Sequence, residues 1–151
     1  SSSSFSDKRI DMTLSFDTNT IRLMTLFETV TGVPVKDLII DNSSNTIYMV
    51  VDEGKVGIAI GKNGNSVRNV ERMIGKMIKL FEFSKDTVTF VKNLIPQVTL
   101  IKIRSEDDKT IVEVRVDKSD KAMVIGREGR NLKLIKELLQ RNHHVDELIV
   151  R

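Results

Sequence analysis

Cysteine is absent from the 151 residues, and so is tryptophan. Without thiols the chain has no disulfide, no cysteine-ligated zinc and no thiol nucleophile, which fits a reducing, cytoplasmic setting. Aromatics are scarce, six Phe and one Tyr, and no paired aromatic platform stands out, which argues against base stacking on an RRM-like sheet. No apolar run approaches the roughly 18 residues of a membrane helix, so no membrane association is expected. The opening SSSSFSDKRID lacks the basic-then-apolar order of a secretory signal and reads as a tail. Charge is plentiful but nearly balanced, 24 Lys and Arg against 21 Asp and Glu, for a net of +3. Where the charge sits must matter more than its sum. With 40% apolar and 30% charged residues, the chain suits a folded globule of one medium domain or two small ones.

What the chain does contain is a repeat. VDEGKVGIAIGKNG (51–64) returns as VDKSDKAMVIGREG (116–129), with five of 14 positions identical. The offset is 65 residues (126 minus 61), and it also pairs Val67 with Leu132, Arg68 with Lys133 and Val70 with Ile135. One glycine turn is a weak signal. The same turn in the same setting at a fixed offset marks a duplicated unit.

Each unit shows one order of elements. In the first, a helix over 20–31 has Ile21, Met24, Phe27 and Val30 at helical spacing, with Asp17 or Thr18 as N-cap. Gly32 and Pro34 end it. DLII (37–40) and TIYMVV (46–51) read as strands around the turn DNSSN, followed by a helix at about 54–60, a glycine turn and a helix at about 65–75. MIKLFEF (77–83) alternates as a half-buried strand, with Phe81 and Phe83 on one face and expected in the core. The second unit repeats this as a helix at 86–94, strands at 98–104 and 110–116, helix–GREG–helix and DELIVR. The fold class expected is α+β, α-β-β-α-α-β twice, divided as a tail over 1–15 and units over 16–84 and 85–151. Units this small bury little surface alone, and 83–87 allows no long linker, so the two should dock.

IGKNG and IGREG, each between two helices, resemble the glycine-x-x-glycine signature of type II KH domains, and the tandem resembles archaeal NusA-type transcription factors. The resemblance implies two three-stranded sheets packed by helices; no nucleophile–base–acid set is visible and neither glycine turn has a nearby His, so no enzymatic activity, cofactor or metal is expected. The resemblance also implies single-stranded RNA as partner, a role in transcription elongation or termination, RNA polymerase as a further partner, and a monomer. The clamp residues it implies are Gly61, Lys62, Asn63, Gly64 and Asn65 with Arg68 and Arg72, then Gly126, Arg127, Glu128, Gly129 and Arg130 with Lys133. The residue chemistry agrees. A glycine turn lets an RNA backbone approach and permits positive φ, and it opens a helix whose free N–H groups favour phosphate. On the outgoing helix Val67, Val70, Ile74 and Met77 form an apolar stripe, while Arg68, Arg72 and Lys76 share another face. Residues 61–79 hold five basic groups and one acid, a local basic footprint. Ile58, Ile60, Met123 and Ile125 are expected in the core, some of them flooring the base-binding groove.

Other readings stand beside this one. A G-x-x-G turn can simply join helices, and a basic helix face can simply be solvated. His143 and His144, read as strand neighbours pointing oppositely, do not suggest a metal site, and Glu106, Asp107 and Asp108 read as a solvated hairpin turn. GKNGNS lacks the G-x-x-x-x-G-K-[ST] spacing of a phosphate loop. A ribosomal or RNA-processing KH protein, or a protein-interaction adaptor without RNA binding, remains an alternative.

Overall fold

The computed structural model describes residues 18–151; the expected N-cap Asp17 lies outside them. The first set of elements is α1 (Thr18–Thr31), β1 (Val35–Asp41), β2 (Thr46–Val51), α2 (Val56–Ile60), α3 (Asn65–Ile74) and β3 (Met77–Glu82). The second is α4 (Thr87–Leu94), β4 (Leu100–Glu106), β5 (Lys109–Arg115), α5 (Lys118–Ile125), α6 (Arg130–His143) and β6 (Glu147–Val150). Each forms a three-stranded mixed sheet, β1-β2-β3 and β4-β5-β6, whose central strand pairs antiparallel on one side and parallel on the other. The α-β-β-α-α-β order read from the sequence holds in both.

Strand β2 explains how the two sets combine. All six of its residues are buried, which a sheet with one wet face does not allow. Ile47, Met49 and Val51 join Phe27 of α1, Ala59 of α2 and Val70 of α3 in one core. Tyr48 and Val50 point the other way, with Ile39, into a second core built from Phe90, Val91 and Leu94 of α4, Leu138 and Leu139 of α6, and Val112 and Val114 of β5. The molecule is therefore layered: helices, first sheet, helices of the second set, second sheet. The outer face of the second sheet stays open, with Lys102, Arg104 and Arg115 exposed.

Phe81 and Phe83, expected in the core, are half-buried and pack against the second core, Phe81 stacking on Tyr48 and Phe83 on His143. Other sequence expectations are corrected. Met77 is not part of the α3 stripe, because Gly75 caps α3 in the left-handed region and Met77 opens β3 with its side chain exposed. Ile21 of α1 is also exposed. His143 and His144 are not on a strand. His143 closes α6 and His144 is its left-handed C-cap. The His143 ring lies against Phe83 and Phe90 and reaches the Ser84 carbonyl at 2.7 Å, so it ties α6 to the short connection between the sets.

Candidate nucleic-acid interface

The two glycine turns share one backbone path. Gly61 and Gly126 adopt φ 78°, ψ −178° and φ 77°, ψ −178°, a region that is essentially glycine's alone. Asn63 and Glu128 follow in the left-handed region at φ 57° and 55°, then Gly64 and Gly129 at φ 77° and 73°. The two glycines of each turn do different work. A Cβ on Gly61 would meet Ser66 Oγ at 2.5 Å, and one on Gly126 would meet the Asn131 Cβ at 2.8 Å. Their bareness makes room for the chain's own outgoing helix, a demand the sequence reading did not anticipate. A Cβ on Gly64 or Gly129 would meet nothing within 4 Å. These two face open space, at the N-termini of α3 and α6, which carry no side-chain cap. The Asn65 and Arg130 N–H groups donate to the Lys62 and Arg127 carbonyls of the turn, so an anion here would meet the positive end of the helix without a competing side-chain cap.

Beside the first turn, a cleft of about 570 Å³ is lined by Asn65, Arg68 and Arg72 together with Asn45, Asn69 and Lys76. The structure thus brings three expected clamp residues to one place. Lys76 lies beyond the end of α3, yet it returns to this cleft because its Nζ is held at 2.8 Å by Asn45 Oδ1. Glu71, the one acid here, accepts from the Ile78 N–H at 2.8 Å. Lys62 and Asn63 are exposed on the turn itself and do not line the cleft.

Beside the second turn the surroundings differ. A cleft of about 440 Å³ is lined by Gly126, Arg127, Glu128 and Arg130, but its other wall belongs to the first set: Asp41, Ser43, Ser44 and Tyr48. Arg130 hydrogen-bonds the Ser43 hydroxyl. Burial and the nearby Asp41 carboxylate raise the Tyr48 phenol above its usual range, while a hydrogen bond with Ser44 opposes them, so it stays a protonated hydroxyl at neutral pH. Lys133 is exposed but does not line this cleft. Further along α6, Glu137 and Arg141 pair at 3.0 Å. The residues of the first set that close this wall had no signal in the sequence beyond a turn. Their role arises only from docking.

The apolar residues beside the turns are not core. Ile58, Ile60 and Met123 are exposed, at 54%, 36% and 65%, and Ile125 is half-buried, whereas their neighbours Ala59 and Val124 are buried. The short helices α2 and α5 turn only one narrow face inward, so the remaining apolar side chains flank the glycine turns in solvent.

Two docked α-β-β-α-α-β sets, each with a glycine turn between its last two helices, define a tandem type II KH protein. A KH-domain family model matches residues 22–100, and a NusA-like second KH domain model matches residues 87–150. The probable transcription termination protein NusA of Methanococcus vannielii is 35% identical over 123 residues, 80% of this chain and 70% of that protein. Its counterpart of the same name in Halococcus morrhuae is 30% identical over 138 residues, 91% of this chain and 98% of that one. The crystal structure of APE1850 superposes with a TM-score of 0.73 at 30% identity, covering 90% of this chain and 100% of that one. The chain belongs to the archaeal NusA-like family of tandem KH proteins.

Proposed function

We propose that this protein is a single-stranded RNA-binding factor of transcription elongation or termination, holding RNA at both glycine turns. The observation that carries the reading is the repeated geometry: at both turns the second glycine opens outward at a helix N-terminus that no side chain caps. A KH turn of this kind clamps the backbone of about four nucleotides. In the first clamp, Arg68, Arg72 and Lys76 converge on the flanking cleft and supply countercharge. In the second, Arg127 and Arg130 are offset by Glu128 and Asp41, leaving the N-terminus of α6 to face the backbone. The exposed Ile58, Ile60 and Met123 offer apolar surface on which unstacked bases can lie. Residues 16–84 and 85–151 are the two KH domains of this reading. The transcription role rests on the names of the relatives, and it would bring the protein against RNA polymerase. No helix among the described residues is long and apolar enough to cross a membrane.

Filter binding with one RNA sequence as a single strand and as a duplex tests the RNA reading. The single strand should bind much more tightly; equal affinity would sink it. Crosslinking to the nascent transcript in a stalled elongation complex separates a transcription factor from a ribosomal or processing protein.

A further inference from the structure

We infer that the second clamp is a composite site, completed by the β1–β2 turn of the first domain, whose Ser43 and Ser44 hydroxyls hydrogen-bond the ribose of the RNA held there. The inference rests on the RNA-binding reading above and adds which domain reads which part of the nucleotide.

The two clefts differ in chemistry. The first is lined by three cations, Arg68, Arg72 and Lys76, against the single acid Glu71. That suits phosphate. The second sets Arg127 and Arg130 against Asp41 and Glu128, so its charge cancels, and it adds the hydroxyls of Ser43, Ser44 and Tyr48. A phosphate gains little from a cleft that is neutral in sum. A sugar hydroxyl gains more, because it both donates and accepts, and the carboxylates and serines here can do the complementary half of each bond. The 2′-hydroxyl is also the group by which a protein tells RNA from DNA.

The turn is built to hold its position. Asp41 Oδ1 accepts from the Ser43 N–H at 3.0 Å, and its Oδ2 accepts from the Ser44 hydroxyl at 2.7 Å. At the other end, Asn45 stands at φ 54° and donates to the Gly75 carbonyl at 3.1 Å. The Ser44 carbonyl accepts from Thr46 Oγ1 at 3.1 Å. Arg130, one of the clamp's own cations, donates to the Ser43 hydroxyl, which leaves that hydroxyl's proton to give. Ordering before binding spares the entropy that a loose loop would lose on contact. The same five-residue turn also lines the first cleft through Asn45, so it stands between the two clamps.

The test uses the intact chain, with Ser43→Ala/Ser44→Ala and, as rescue, Ser43→Thr/Ser44→Thr. Each is titrated with one sequence as single-stranded RNA and as single-stranded DNA, and its melting curve is recorded. Losing two hydroxyl hydrogen bonds should weaken RNA binding about five- to twenty-fold. DNA binding should hold or rise, melting should fall only slightly because the Ser44–Asp41 and Arg130–Ser43 bonds lost in the alanine variant are exposed, and threonine should restore both the melting curve and the RNA preference. Unchanged RNA affinity in the alanine variant, or a parallel loss on DNA, would overturn the composite site while leaving RNA binding intact. A parent chain that binds neither nucleic acid overturns both this inference and the function it rests on.

Discussion

Arg141 of α6 reaches Asp37 of β1 across the domain boundary, Nη1 to Oδ1, at 2.9 Å. Asp37 is buried, and its carboxylate also takes the Leu38 N–H at 2.9 Å and approaches Asn142 Nδ2 at 3.4 Å. Asp37 shares the face of Ile39, which packs into the second core, and a register shift in β1 lies just before it, between Val35 and Asp37. The extra residue lets Val35 pack against the first core, although it lies two positions from Asp37. Breaking a fully buried pair costs about 3–5 kcal/mol. The arginine side chain is 42% exposed, so water would soften the loss, and Arg141→Ala should cost about 2 kcal/mol. Urea unfolding of the intact chain checks this. Asp37→Ala combined with Arg141→Ala should lose less than the two single losses together; strict additivity would mean the pair does not couple the domains.

The shared core predicts how the chain unfolds. Val50 belongs to the first sheet by sequence but packs with Phe90 and Leu138 of the second core. Val50→Ala should therefore destabilise both domains at once, by about 2 kcal/mol, within one cooperative transition. Two separated calorimetric transitions, only one of them moved by the substitution, would contradict the layered packing.

The two glycines of a turn should respond differently. Gly61→Ala forces a side chain into a glycine-only region and into Ser66, at a cost of about 3 kcal/mol or more. Gly64→Ala meets only the left-handed penalty of about 1–2 kcal/mol, since space around it is open. It should stay folded yet bind RNA less well, as its methyl group would sit in the approach. Thermal melts and RNA titrations of both variants provide the check, and equal stability losses would reject the division of roles.

The clamps should be unequal in phosphate-driven affinity. At the 65-residue offset, Arg72 corresponds to Glu137 and Lys76 to Arg141, and Arg141 is engaged by both Glu137 and Asp37. Among the described residues Glu128 has no ion-pair partner, so its charge stays in the second cleft. Lys62→Asp with Asn63→Asp should lower affinity for a short RNA at low salt more than Arg127→Asp with Glu128→Asp does. If the second pair loses as much or more, charge does not decide which clamp dominates.

Salt titration supplies a further measurement. If four to six phosphates are neutralised across both clamps, log K against log[salt] should slope by roughly −3 to −4, at about −0.7 per contact for single strands. A flat response would mean that phosphate contacts contribute little.

Much of this molecule is written locally. The duplication, the element order and both glycine turns could be read from residue order, because they depend on hydrophobic period and on which residues tolerate positive φ. Gly61 and Gly126, 65 positions apart, take the same conformation for reasons contained within six residues of each. The pattern TIYMVV also read as a strand. What covers its second face could not be read there, since Tyr48 and Val50 meet α4 and α6, whose sequence distance carries no periodic signal. The same holds for Phe83 on His143, Asp37 with Arg141, and the serine turn beside Arg130. Exposure of Ile58 and Met123 was misread because an apolar residue in a five- or eight-residue helix signals burial only if that side of the helix is packed. Local conformation followed from the chain itself; which surfaces were left for a ligand was decided by how the two domains docked.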